Sequence, residues 1–169
     1  RLAERGYKVL VIDLDSQGHA TRCLGEEGGS FSKTLYDVLV RKTPLAEVTI
    51  ETKMPGLWLV PANLAMSTVD LALMPMAGRE FKLKNALRDV DKVYDFVVMD
   101  APPSFGLLNL NALMAANDLV TPVLADFLSY DGLRLQLPQS RLRAHYVKAH
   151  VKVRRYPDDT LAVFHGPRL

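Results

Sequence analysis

The sequence predicts an α/β protein with a mostly parallel sheet and flanking helices. Short apolar runs of strand length alternate with segments of helical periodicity, the order that builds a parallel sheet through right-handed crossovers. Two of these runs, KVLVID (8–13) and YDFVVMD (94–100), are continuous in the way central parallel strands are. Both end in aspartate, and the carboxyl edge of such a sheet is where open α/β folds hold ligands.

Taken in chain order, RLAERG opens as the last turns of a helix, with Gly6 as a left-handed stop. The first strand, KVLVID, follows at once. A helix running directly into a buried strand suggests an α/β unit whose own first strand is missing, so the expected fold is truncated at the N-terminus. GEEGGS (25–30) is a loop. Thr34 and Asp37 have the spacing of a capping box ahead of the helical LYDVLV. GLWLVPA is a second strand, closed by Pro61. In REFKLKNALRDVD, Leu83, Ala86, Leu87 and Val90 recur at helical spacing, and Glu80 and Lys84 form an i,i+4 pair. YDFVVMD is the third strand. APPSFG is a rigid loop that cannot begin a helix before Ser104, LLNLNALMAAN is helical, and DLVTPVL is a fourth strand.

Composition narrows the function classes. Nearly half of the 169 residues are apolar and a quarter are charged, the ordinary balance of a globular domain with a real core. No apolar run reaches the roughly 18 residues of a membrane span. No secretory leader is read at the amino end, so a cytoplasmic location without membrane attachment is expected. A single cysteine, Cys23, excludes an internal disulfide and a cysteine-based metal site. The net charge of +2 hides an asymmetry: residues 138–169 hold 7 Lys/Arg against 2 Asp/Glu, and three of the four histidines. With Tyr and Phe interleaved, that tail is either a nucleic-acid contact made through phosphates or a solvated, strand-rich appendage. VKVRRYP, DD and TLAVF read as strand, turn and strand.

The chemistry gathers in VLVIDLDSQGHAT, where Asp13 and Asp15 stand at the mouth of an apolar strand, and at Asp100 on a matching strand. Carboxylates brought together at one sheet edge repel unless a positive partner is present. Hydrated Mg²⁺ suits the place, since it takes one or two carboxylates together with waters and phosphate oxygens. The plainer alternative is that Asp13 caps a turn and Asp15 is solvated. An Asp-x-Asp phosphatase of the haloacid-dehalogenase type would want Thr where Gln17 stands. A receiver domain would want its second acid much nearer than Asp100 is to Asp15.

RGYKVLVIDLDSQGHATRCLG resembles the segment of ParA/MinD-type (Soj-like) partition ATPases in which a strand ends in Asp-x-Asp-Pro-Gln-Gly-Asn, the Walker A′ motif. LWLVPANLAMSTVDLAL resembles the family's next strand and loop, and the stretch from Arg79 to Leu133 resembles its Walker B region. The resemblance covers residues 1–134, with several motifs in order, and implies a P-loop NTPase-like fold. By its implication Asp15 orients or polarises the attacking water. Asp13 lies close to the Mg²⁺ shell, and Asp100 holds Mg²⁺ through water. Gln17 and Pro102 lie on the nucleotide side, Pro102 in the APPS loop that senses the γ-phosphate. It further implies Mg²⁺ and ATP as cofactors, and a homodimer, non-specific DNA and a ParB-like protein as partners in plasmid or chromosome segregation.

Two positions depart from the family pattern: Ser16 replaces its usual Pro and His19 its usual Asn. Ser16 can still form the turn, and His19 is expected to be a tolerated loop residue. A Lys-Gly-Gly-x-Gly-Lys-Thr-type phosphate loop occurs nowhere in the chain. Such a loop cradles phosphates with backbone N–H groups and lysines. The expectation is therefore an incomplete copy with impaired ATP binding and turnover. The alternative is a non-catalytic remnant with a basic tail that touches nucleic acid. The family's carboxyl third is not recognised either. Residues 135–169 are expected to be an unrelated, hairpin-like tail, with a faint resemblance to the carboxyl end of insertion-sequence transposases.

Overall fold

A computed structural model describes residues 1–25, 31–90, 92–104, 106–123, 152–155 and 161–164. The chain divides into two compact units, Arg1–Ala116 and Asn117–Leu169.

The first unit opens with a 3-10 turn, Ala3–Arg5, ended by Gly6 at φ 87°, whose N–H bonds back to the Ala3 carbonyl. Strand β1 (Val9–Asp13) follows, then α1 (His19–Leu24), α2 (Leu35–Arg41), α3 (Leu45–Val48), β2 (Ile50–Glu51) and β3 (Leu57–Val60). After a 3-10 turn at Leu64–Thr68 come α4 (Val69–Leu73), α5 (Lys82–Leu87), β4 (Phe96–Asp100) and α6 (Leu107–Ala115). The sheet order is β2-β3-β1-β4. β1 runs parallel to both β3 and β4, and the short β2 is antiparallel to β3.

Register assigns each face its task. Leu10 pairs with Trp58 and Val97, and Ile12 with Val60 and Met99. These residues line the face that meets Leu35, Leu39, Val69, Leu73, Leu83 and Leu108 from the helices, forming the core. Leu10 and Ile12 are fully buried there. Burying such a side chain contributes about 1.5–3 kcal/mol. The opposite face carries Val9, Val11 and Asp13 of β1 and Phe96, Val98 and Asp100 of β4. It is covered over β1 but open over β4, where Phe96 and Val98 stay exposed. Among the described residues the continuous run YDFVVMD has β1 as its one partner strand, and it is half solvated.

The helix signals in the sequence are realised unevenly. Thr34 and Asp37 form the expected capping box of α2. The helical LLNLNALMA is α6, beginning at Leu107 after the APPS loop. REFKLKNAL is a 3-10 turn (Arg79–Phe81) running into α5. Glu80 and Lys84 do not close into an ion pair; the pairs found among the described residues are the amino terminus with Glu4, Lys33 with Glu47, and Arg41 with Asp37. The loop expected at 25–30 lies outside the described residues after Gly25.

The second unit contains β5 (Val120–Val123), β6 (Lys152–Arg155) and β7 (Leu161–Phe164) in the order β5-β7-β6. β6 and β7 pair antiparallel, as the strand–turn–strand pattern predicts, with Lys152 opposite Phe164 and Arg155 opposite Leu161. DLVTPVL corrects one expectation: it is a strand, but it pairs antiparallel with β7 instead of extending the parallel sheet. Pro122 has no N–H to offer a second neighbour, and among the described residues β5 has a single partner strand. The boundary expected at 134/135 lies outside the described residues.

Candidate functional site

The parallel pairing of β1 and β4 places Asp13 directly opposite Asp100. One residue later the two strands are still joined, the Leu14 N–H donating to the Asp100 carbonyl at 2.9 Å. The chain then turns sharply. The Asp15 carbonyl accepts from Gly18 N–H at 2.9 Å, and the Asp15 carboxylate accepts from Gln17 N–H at 2.9 Å. Gly18, at φ 61°, sits in the left-handed region that glycine enters without steric cost. It starts α1 and brings that helix back against β1 and β3. Asp13, Asp15 and Asp100 therefore share one corner of the sheet, as their spacing predicts.

Their environments differ. Asp13 is fully buried, with 0% of its surface exposed. Its Oδ1 accepts from Asp15 N–H at 3.0 Å; its Oδ2 accepts from Thr21 N–H at 2.8 Å and from the Thr21 hydroxyl at 2.7 Å. A six-residue helix with a glycine at its N-cap has no side-chain cap of its own. Asp13 supplies one from eight residues upstream, satisfying an amide that the helix start leaves free. The plainer alternative, a capping Asp13, is thus realised, and its charge is carried by three donors. Asp15 is half-buried at the turn, and Asp100 is reached by solvent.

No ion pair among the described residues involves these three carboxylates. The consequence appears at Asp100, whose carboxyl is held above its ordinary value. Partial desolvation is the largest cause; the negative charges of Asp13 and Asp15 add to it, and His19 pulls the other way. His19 is exposed and opens α1, so it lies on a helix instead of the loop expected for it, close enough to be felt at Asp100. Among the described residues, no three His, Cys, Asp or Glu side chains form a ready-made metal cage. A corner of one solvated and one half-buried carboxylate, with uncompensated negative charge, fits a hydrated hard cation that keeps most of its waters.

Gln17 is exposed on the turn beside Asp15. Pro102 is half-buried in the loop after Asp100, and its carbonyl accepts from Ser104 N–H and from the Asn109 amide, both at 2.8 Å. That amide also reaches the Ser104 carbonyl, so α6 tethers the loop. Asp70 in turn accepts from Leu107 N–H at the start of α6. One hollow is lined by Leu24, Gly25, Glu51, Thr52 and Lys53 and another by Glu51, Thr52 and the 54–58 stretch, and neither lining includes Asp13, Asp15 or Asp100.

Sequence reasoning missed Thr21, Ala62 and Asn109. The Thr21 hydroxyl donates to Asp13 and accepts from Ala62 N–H at 2.9 Å, so one side chain joins the ends of β1 and β3 to the start of α1. A threonine three residues past a glycine N-cap is the only local signal for it.

Against known proteins, residues 1–152 match a family described as an AAA domain, a match that runs on into the basic tail. The cell division protein PomZ of Myxococcus xanthus is 76% identical over 135 residues, covering 80% of this chain and 42% of that protein. The sporulation initiation inhibitor protein Soj of Bacillus subtilis is 37% identical over 141 residues, covering 83% and 56%. The chain spans about half the length of these curated relatives. Among solved structures, cobyrinic acid a,c-diamide synthase from Mycobacterium smegmatis, with bound ATP analog and magnesium, is similar with a TM-score of 0.65 and 38% identity. That likeness covers 68% of this chain and 47% of the synthase.

Proposed function

This chain belongs to the ParA/MinD-type family of partition ATPases, and on that premise we propose that its acidic corner is the Mg²⁺- and water-positioning half of an ATPase site. The observation that carries the proposal is the register of β1 and β4, which sets Asp13 opposite Asp100 with Asp15 on the adjoining turn. Phosphoryl transfer asks a protein chiefly for positioning and charge neutralisation. Asp15, half-buried and anchored by Gln17 N–H, is the carboxylate we assign to orienting the attacking water. Asp100, accessible and burdened by neighbouring negative charge, is assigned to hold Mg²⁺ through water. Asp13 lies beside that shell with its carboxylate already bonded, and acts by fixing the turn. Bound at this corner, Mg²⁺ would neutralise phosphate charge and hold the transferring group in line. Gln17, and the loop at Pro102 tethered by Asn109, face the nucleotide in this assignment.

The 169 residues hold no glycine- and lysine-rich phosphate cradle. This chain by itself is therefore assigned weak nucleotide binding and slow turnover. The identity with the cell division protein PomZ supports a role in cell division. Under the same proposal the partners are a second copy of the chain, non-specific DNA and a ParB-like protein. A second reading, nucleic-acid contact by the tail alone, is favoured by the 7 Lys/Arg against 2 Asp/Glu in residues 138–169. Titration of the chain with a fluorescent ATP analogue, with and without Mg²⁺, tests the assignment. Weak, saturable, Mg²⁺-dependent binding lost in Asp100→Ala is expected. Binding that ignores both Mg²⁺ and Asp100 would contradict it. No binding by a folded chain would leave the scaffold without its nucleotide.

A further inference from the structure

Thr21 makes no hydrogen bond to Asp15 or Asp100, yet it holds the residue that connects them. It is buried, and its hydroxyl is used twice, as donor to Asp13 Oδ2 at 2.7 Å and as acceptor from Ala62 N–H at 2.9 Å. Its own N–H donates to the same Asp13 oxygen at 2.8 Å. The other oxygen of Asp13 receives the Asp15 N–H at 3.0 Å. A continuous chain of hydrogen bonds thus runs from the backbone just past β3, through Thr21 and Asp13, to the backbone of Asp15. Every polar group along it is buried or partly buried, where an unpaired donor or acceptor costs about 1–3 kcal/mol. The chain is therefore held as a unit.

We propose that Thr21 is a positioning residue for the acidic corner: its hydroxyl fixes the Asp13 carboxylate, and through it the direction of Asp15. The inference rests on the metal-site assignment above, and it adds a residue outside the carboxylates named there. Outer partners of this kind fix the orientation of the groups they support, and removing one typically costs about 10–100-fold in metal affinity. Thr21→Val keeps the shape and removes the hydroxyl. It leaves Ala62 N–H without its acceptor and Asp13 Oδ2 with a single donor. Thr21→Ser keeps both bonds.

The experiment is NMR on the full 169-residue chain, reading amide exchange and paramagnetic broadening by Mn²⁺, a probe for the hard-cation site. In the native chain and in Thr21→Ser, Mn²⁺ is expected to broaden the amides of Asp15 and Asp100. In Thr21→Val the Mn²⁺ concentration needed rises roughly tenfold or more. There the Asp15 and Ala62 amides exchange faster while those of Val11 and Ile12 in β1 do not change. Broadening in Thr21→Val equal to native overturns the proposal. So does loss in Thr21→Ser as large as in Thr21→Val, since packing and not the hydroxyl would then be responsible. If Thr21→Val does not fold, Thr21→Ser alone decides: native behaviour upholds the proposal and lost broadening overturns it. If Mn²⁺ broadens nothing in the native chain, the metal assignment fails separately. Exchange at Asp15 and Ala62 then still tests the hold of Thr21 on the turn, with unchanged rates in Thr21→Val overturning it.

Discussion

Asp13 and Asp100 occupy equivalent ends of neighbouring strands and have opposite fates. Asp13 is drawn into the core because the chain reverses at Gly18 and delivers two donors from Thr21. Asp100 has no such reversal behind it. The rigid APPS loop carries the chain away, and its carboxyl is raised first by partial desolvation and then by the charges of Asp13 and Asp15. That Asp13, Asp15 and Asp100 would gather was legible in the sequence, since all three sit where apolar runs stop. The saturation of Asp13 was not, because it depends on a contact across eight residues that exists only once the turn has formed. Asp100 also makes a prediction about pH. Its carboxyl is held above the ordinary value of 3.8, so the folded chain binds its proton more tightly than the unfolded one does. Its contribution is fully favourable below about pH 3.8 and is lost as pH rises through the raised value. Asp100→Asn should therefore raise the melting temperature at pH 7, and the gain should shrink toward zero as the pH falls below about 4. Thermal unfolding followed by circular dichroism from pH 3 to pH 7 checks this. A variant less stable than native at neutral pH would mean that Asp100 is not electrostatically burdened.

The elements were legible wherever a local rule decides them. The capping box of α2, the left-handed Gly6 and the apolar runs of β1, β3 and β4 each depend on a few adjacent residues. Placement within the sheet was not legible. YDFVVMD and KVLVID have the same continuous apolar character, yet among the described residues β1 has partners on both sides and β4 on one, with Phe96 and Val98 exposed. DLVTPVL shows the same limit, since its partner β7 lies some forty residues further on. Polar braces between elements are equally hidden. Asn111, fully buried in α6, accepts from Leu83 N–H at 3.0 Å and donates to the Arg79 and Leu107 carbonyls, each at 2.8 Å. In sequence it is only a polar residue in an apolar helix; in the fold it pins α5 and the turn before it to α6. Asn111→Ala removes the side-chain partner of Leu83 N–H and of the Arg79 carbonyl and should destabilise the first unit by about 2–3 kcal/mol, read as a shift in the urea midpoint at unchanged slope. A change below about 0.5 kcal/mol, the range of ordinary surface substitutions, would show that the brace is dispensable.

Over the whole chain, the α/β class and the family were legible because strand ends, acids and helical periodicity recur in a fixed order. The charge break near residue 138 lies outside the described residues, and the structure begins its second unit at Asn117. Charge composition records where basic residues accumulate; it does not record which strand pairs with which. The function proposed for the first unit depends on one physical claim: its acidic corner is poised for a divalent cation through Asp15 and Asp100. A ligand that binds only the folded state raises its stability in proportion to the logarithm of its concentration. The most direct test is the melting temperature of the native chain and of Asp100→Asn at pH 7 as Mg²⁺ is raised from zero to tens of millimolar, with ionic strength held constant by KCl. Mg²⁺ is expected to raise the native melting temperature progressively and to leave Asp100→Asn, already shifted upward, where it is. Equal shifts in both chains, or none in either, would contradict that claim.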